Sequence, residues 1–97
     1  MSFEGLIDVH PDHPSLAGHF PDRPIVPGVV ILDLAIEIAE RHGWTVTAVR
    51  TAKFHEVLEP GVPCKVMFSP TKRSGLQAMG EADGKTVFTA VFDGRTS

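Results

Sequence analysis

Three residues in the first third of the chain can do chemistry together. His19 lies in a proline-rich stretch, Gly28 follows Pro27 at the foot of an apolar run, and Asp33 sits inside that run. A neutral imidazole, with an ordinary pKa of about 6.5, is a general base at neutral pH, and a carboxyl group is a natural acid counterpart. Backbone N–H groups at a helix start have no intrahelical acceptor and favour a negative oxygen. Gly28 has no side chain to keep a carbonyl from its N–H, and Pro27 stiffens the approach. The outline is that of an oxyanion site flanked by a base and an acid.

Each residue also has a plainer reading. Asp33, Glu37 and Glu40 fall at i, i+4 and i+7, which makes Asp33 the first member of a solvated acidic stripe. Val29 and Val30, one turn earlier, are apolar, so the stripe passes from dry to wet near Asp33 and favours hydrogen-bond partners or a raised pKa there. His19 can serve as a loop-fixing hydrogen-bond donor as well as a base. His10, His13 and His19 match no common metal-ligand spacing and have no cysteine among them, so no metal is expected. His42, at the helix end, and His55, in a strand-like run, read as structural. Cys64 is the only cysteine, which excludes an intramolecular disulfide, favours a cytosolic setting and reads as inert packing.

The elements that must position these residues follow from punctuation and period. Residues 3–9 read as a strand. Residues 10–27 carry five of the eight prolines and form a long extended loop, a kind of segment that is usually functional. Residues 28–42 predict a helix of about four turns closed by Gly43. Apolar side chains cover almost its whole circumference, as in a helix enclosed by sheet and by a partner. Strands are expected at 44–57, 62–69, 75–81 and 86–92, with turns at Glu59-Pro60-Gly61, Lys72-Arg73-Ser74 and Asp83-Gly84. One helix among five antiparallel strands gives an α+β layer, a sheet curled around a central helix.

Ninety-seven residues with 42% hydrophobic content suit a single domain spanning 1–97, small enough to leave apolar surface for self-association. A net charge of −3 with scattered cations does not favour nucleic acid or an anionic membrane. The longest nearly uncharged apolar run, 25–32, is too short to span a bilayer, and the expectation is a soluble, cytoplasmic protein.

The stretch "HPSLAGHFPDRPIVPGVVILD" closely resembles the signature of the hot-dog-fold 3-hydroxyacyl-acyl-carrier-protein dehydratases of fatty acid synthesis. "AKFHEVLEPGVPCKVMF" is similar to that family's strand, Pro-Gly turn and strand, and "EADGKTVFTAVF" resembles its final hairpin. The resemblance implies a hot-dog fold with His19 and Asp33 as the catalytic pair, normally supplied by two subunits, and with the Gly28 N–H on the thioester carbonyl. The implied reaction is loss of water from a 3-hydroxyacyl thioester to give a trans-2-enoyl thioester, without cofactor. Phe20, Val29, Ile36 and Phe54 are candidates for the acyl wall. The implied partners are an acyl carrier protein and a second hot-dog subunit, identical or different. A carrier is acidic, so Arg23, Arg50, Lys53, Lys72 and Arg73 are candidate docking residues.

Two features depart from the pattern. Many members carry glutamate where this chain has Asp33, and the aspartate resembles the branch that also isomerises the double bond. The chain is also short before the first strand, and with "HPSLAGHFP" and "PGVVILD" it resembles the stand-alone dehydratases of aryl polyene clusters. Two alternatives stay open: a non-catalytic hot-dog subunit that binds acyl chains or completes a partner's site, and a thioesterase, which would release free thiol.

Overall fold

The computed structural model describes residues 2–12 and 25–96. Within them the chain forms β1 (Phe3–Ile7), α1 (Gly28–Arg41), β2 (Trp44–Phe54), β3 (Cys64–Pro70), β4 (Gly75–Ala82) and β5 (Lys85–Thr96). The strands make one antiparallel sheet in the order β1-β3-β4-β5-β2, with α1 packed across one face. The expected α+β layer is present. Among the described residues no helix is long and apolar enough to cross a membrane.

Alternation explains the core. Strand residues on one face point to α1, and Val66, Phe68, Leu76, Ala78, Phe88, Ala90 and Phe92 are all buried with Ile31, Ala35, Ile38 and Ala39 of the helix. Cys64 joins them with no exposed surface, and burial pushes its thiol up to about 11 against a smaller opposing effect from a hydrogen bond with the Glu81 backbone. The thiol is therefore packing, as expected.

The helix is less enclosed than its composition suggests. Val29, Asp33, Glu37 and Glu40 form an exposed stripe, and Val29 keeps 65% of its surface. Beyond Arg41 the chain leaves the helix through His42 and Gly43, whose φ of 89° suits the expected glycine stop. The His42 ring stacks on Phe3 at 4.4 Å, Phe3 stacks on Phe68 at 4.7 Å, and His42 Nδ1 lies 2.9 Å from the Ile38 carbonyl, consistent with a structural histidine.

Strand ends differ from the sequence reading where backbone partners change. Asp83 and Gly84, with φ of 51° and 74°, make the tight turn expected between β4 and β5. Just beyond it, Gly80 pairs with Phe88 and Glu81 with Thr86, so Val87 is an inserted bulge. The Val87 carbonyl accepts the N–H groups of His55 at 2.7 Å and Glu56 at 3.3 Å. That double contact draws the chain off the ladder, so β2 ends at Phe54 and not at the expected residue 57.

Candidate active site at the start of the helix

Pro27 sets the geometry of the site. Its carbonyl accepts the N–H groups of Val30 at 3.0 Å and Ile31 at 3.2 Å, which starts α1. The N–H groups of Gly28 and Val29 lie in the first turn and have no backbone acceptor among the described residues. They form the positive end of a 14-residue helix whose first turn contains no acidic residue.

The loop after β2 walls in this helix start. Leu58 is buried, and its carbonyl accepts the Val26 N–H at 2.8 Å, tying the 55–63 segment to the chain just ahead of α1. Between them lies a cavity of about 290 Å³, bounded by Ile25, Val26, Gly28 and Ile31 on one side and by Phe54, Val57 and Leu58 on the other, with Glu56 at its wall. The lining is almost wholly apolar and meets one exposed helix start, which suits an acyl chain ending in a polar carbonyl. Phe54 lies directly over Gly28: a Cβ built on that glycine would stand 2.8 Å from the ring.

The expected residues divide into three groups. Gly28 and Phe54 are brought together in the cavity. Asp33 lies on the open side of α1, one turn from Val29, exposed and without a bonding partner among the described residues. The margin between dry and wet that the sequence places at Asp33 is not closed among the described residues. Val29 is exposed beside it and Ile36 is half-buried against the core, so neither lines this cavity. His19, Phe20 and Arg23 lie outside the described residues. The sequence reading missed Ile25, Val26, Ile31, Val57 and Leu58, because the two sides they form meet through the Val26–Leu58 hydrogen bond between segments far apart in sequence.

A family model described as ApeI-like, ApeI dehydratase, matches residues 2–89. The chain belongs to the ApeI-like dehydratase family. It is 34% identical over 71 residues to the 3-hydroxyacyl-acyl-carrier-protein dehydratase FabZ of Rickettsia felis, a match covering 62% of this chain and 49% of that protein. The same enzyme of Rickettsia massiliae matches to the same extent, with 34% identity. The chain thus spans about half the length of these curated relatives. Among solved structures it resembles the dehydratase heterocomplex ApeI:P from Xenorhabdus doucetiae, with a TM-score of 0.82 at 22% identity, over 97% of this chain and 87% of that one. An uncharacterised protein from Erwinia carotovora subsp. atroseptica matches with a TM-score of 0.81 at 22% identity, over 98% and 83% of the two chains. These structural likenesses establish the hot-dog fold, as the motifs led us to expect.

Proposed function

We propose that this ApeI-like family member dehydrates a 3-hydroxyacyl thioester carried on an acyl carrier protein, giving the trans-2-enoyl thioester for fatty acid or polyene synthesis. The observation that carries the reading is that Gly28, whose N–H has no acceptor among the described residues, lines an apolar cavity in a chain of a dehydratase family. The thioester carbonyl sits against the N–H groups of Gly28 and Val29, with the acyl chain along Phe54, Val57 and Ile31. Neutral His19 takes the proton from the carbon next to the carbonyl, and the helix start holds the negative charge that develops on oxygen. The carbon–oxygen bond at C3 then breaks, and Asp33, directly or through a water, supplies the proton that lets hydroxide leave as water. The double bond forms from the electrons of the lost C–H bond. His19 and Asp33 return to their starting protonation through solvent.

The site is completed by a second hot-dog subunit seated on β2. Among the described residues that strand pairs with β5 on one side only, and Val49, Phe54, Val57 and Val29 expose apolar surface. An eleven-residue edge strand beside such surface is a template for another strand. A partner there would cover the open side of α1 on which Asp33 stands.

The test is turnover of a 3-hydroxyacyl carrier thioester by the purified chain, read as enoyl product. Formation of enoyl thioester without thiol release supports the dehydratase. Thiol release would mean a thioesterase, and activity only after adding a second hot-dog protein would assign this chain to a heterodimer.

A further inference from the structure

The irregularities of β2 point to a second binding site. Opposite β5, Val46 pairs with Gly94 and Ala48 with Asp93, leaving Thr47 as an inserted residue. Val49 pairs with Phe92 and Thr51 with Val91, leaving Arg50 as another. A bulge re-aims a side chain at the cost of ladder hydrogen bonds. Thr47 and Arg50 are also the two β2 residues that line an open surface cavity of about 310 Å³, bounded by Arg73 and Ser74 of the β3–β4 turn and by the 93–95 segment of β5. Both inserted residues therefore serve one place.

The frame of that cavity is fixed by short-range bonds. The Gly94 N–H donates to the Ser74 carbonyl at 3.2 Å, joining the turn to β5, and the Thr71 N–H donates to the Gly75 carbonyl at 2.9 Å. Thr47 Oγ1 donates to the Asp93 carbonyl at 3.2 Å. Asp93 follows the core residue Phe92 in β5, so it turns to the sheet face away from α1. None of the cavity's residues is shared with the one at Gly28.

The charge is unbalanced. Arg50, Arg73 and Arg95 meet one carboxylate, Asp93, which is already ion-paired with Arg50. Arg73 and Arg95 have no ion pair among the described residues, so two positive charges stand uncompensated in a chain of net charge −3. Guanidinium groups offer planar paired donors matched to phosphate oxygens, and the hydroxyl of Ser74 adds a donor at the same rim. Among the five cations expected to dock a carrier, Arg50 and Arg73 are gathered here and Lys53 and Lys72 are not.

We propose that this cavity binds a dianionic phosphate group, either free phosphate or a phosphate monoester on a small molecule. The inference stands independently of the dehydratase reading. The experiment titrates inorganic phosphate into the full-length isotope-labelled chain and follows the arginine side-chain NMR signals, with chloride at matched ionic strength as control. Saturable shifts at Arg73 and Arg95, weakened at least tenfold in Arg73→Gln/Arg95→Gln, support the site. Shifts that track ionic strength alone, or unchanged affinity in the double variant, overturn it. Melting curves check the fold of the double variant, and each single variant is read separately should it unfold. Coenzyme A against its analogue lacking the 3′-phosphate separates the sources: tighter binding of the former assigns a monoester, and equal binding assigns free phosphate.

Discussion

The ring of Phe54 occupies the space where a side chain on Gly28 would stand. What Gly28 supplies is room, because a methyl group there would meet Phe54 Cζ at 2.8 Å and stand beside the N–H proposed to receive the thioester carbonyl. Gly28→Ala should therefore lower kcat/KM by roughly 10²-fold, the scale of losing one oxyanion donor. The clash is with the far end of a half-exposed ring that can shift, so the melting temperature should move little. Phe54→Ala in the same background frees the space and should recover part of the rate. Steady-state kinetics and thermal melts of the three proteins check this.

The proposed proton-transfer pair makes a sharper demand. His19→Ala and Asp33→Asn should each reduce turnover by about 10²- to 10⁴-fold, the usual contribution of a positioned acid or base. Asp33 is exposed and bonds to nothing among the described residues, so Asp33→Asn should change stability by no more than about 0.5 kcal/mol. Wild-type rates in both variants would reject the assignment, and circular dichroism would confirm that the fold is retained.

Much of this molecule was legible in the residues because local signals and tertiary contacts agree. Asp83-Gly84 makes its turn, Gly43 ends the helix, and the alternation of β3, β4 and β5 places Phe68, Ala78 and Phe92 in the core. The end of β2 was not legible. The apolar alternation runs on to Val57, and only the Val87 carbonyl, raised from its ladder by a bulge, explains why His55 and Glu56 turn away. The bulges at Thr47 and Arg50 carry no glycine or proline to announce them, since a bulge is decided by how two strands fit together. At the site, Gly28 and Phe54 could be named from type and motif. Val57 and Leu58 could not, because their place depends on the Val26–Leu58 hydrogen bond between separated segments.

Cys64 gives the fold a dependence on alkaline pH. Burial holds its thiol protonated up to about 11, whereas in the unfolded chain it loses its proton near the model-compound value of 9.0. The folded state keeps its full advantage below about pH 9 and loses it as pH rises toward about 11. Denaturant midpoints measured from pH 8 to 11 should fall more steeply in the wild type than in Cys64→Ala. The buried thiol should also resist alkylation at pH 8 until the protein is unfolded.

Gly80 is a second place where the core demands the absence of a side chain. It pairs with Phe88, and an added Cβ would run into the Phe88 ring and lie 2.9 Å from Cys64 Sγ. A glycine inside a strand often marks such a close approach. Gly80→Ala should destabilise the fold by about 1–3 kcal/mol through overpacking. Chemical denaturation measures the loss, and pairing the change with Cys64→Ala should restore part of it by vacating volume.

The proposed subunit contact on β2 predicts how the assembly fails. Val49 is 42% exposed, so it does not support the core of its own chain. Replacing it with lysine puts a charge on an edge that an incoming strand would have to desolvate, a device that blunts edge pairing. Val49→Lys should therefore remain folded yet elute as a monomer in size-exclusion chromatography with light scattering, where the unmodified chain is expected to elute as a dimer. Turnover should fall with dimerisation, because the open side of α1 that bears Asp33 would lose its cover. If the variant stays dimeric at the wild-type concentration, the partner sits elsewhere on the molecule.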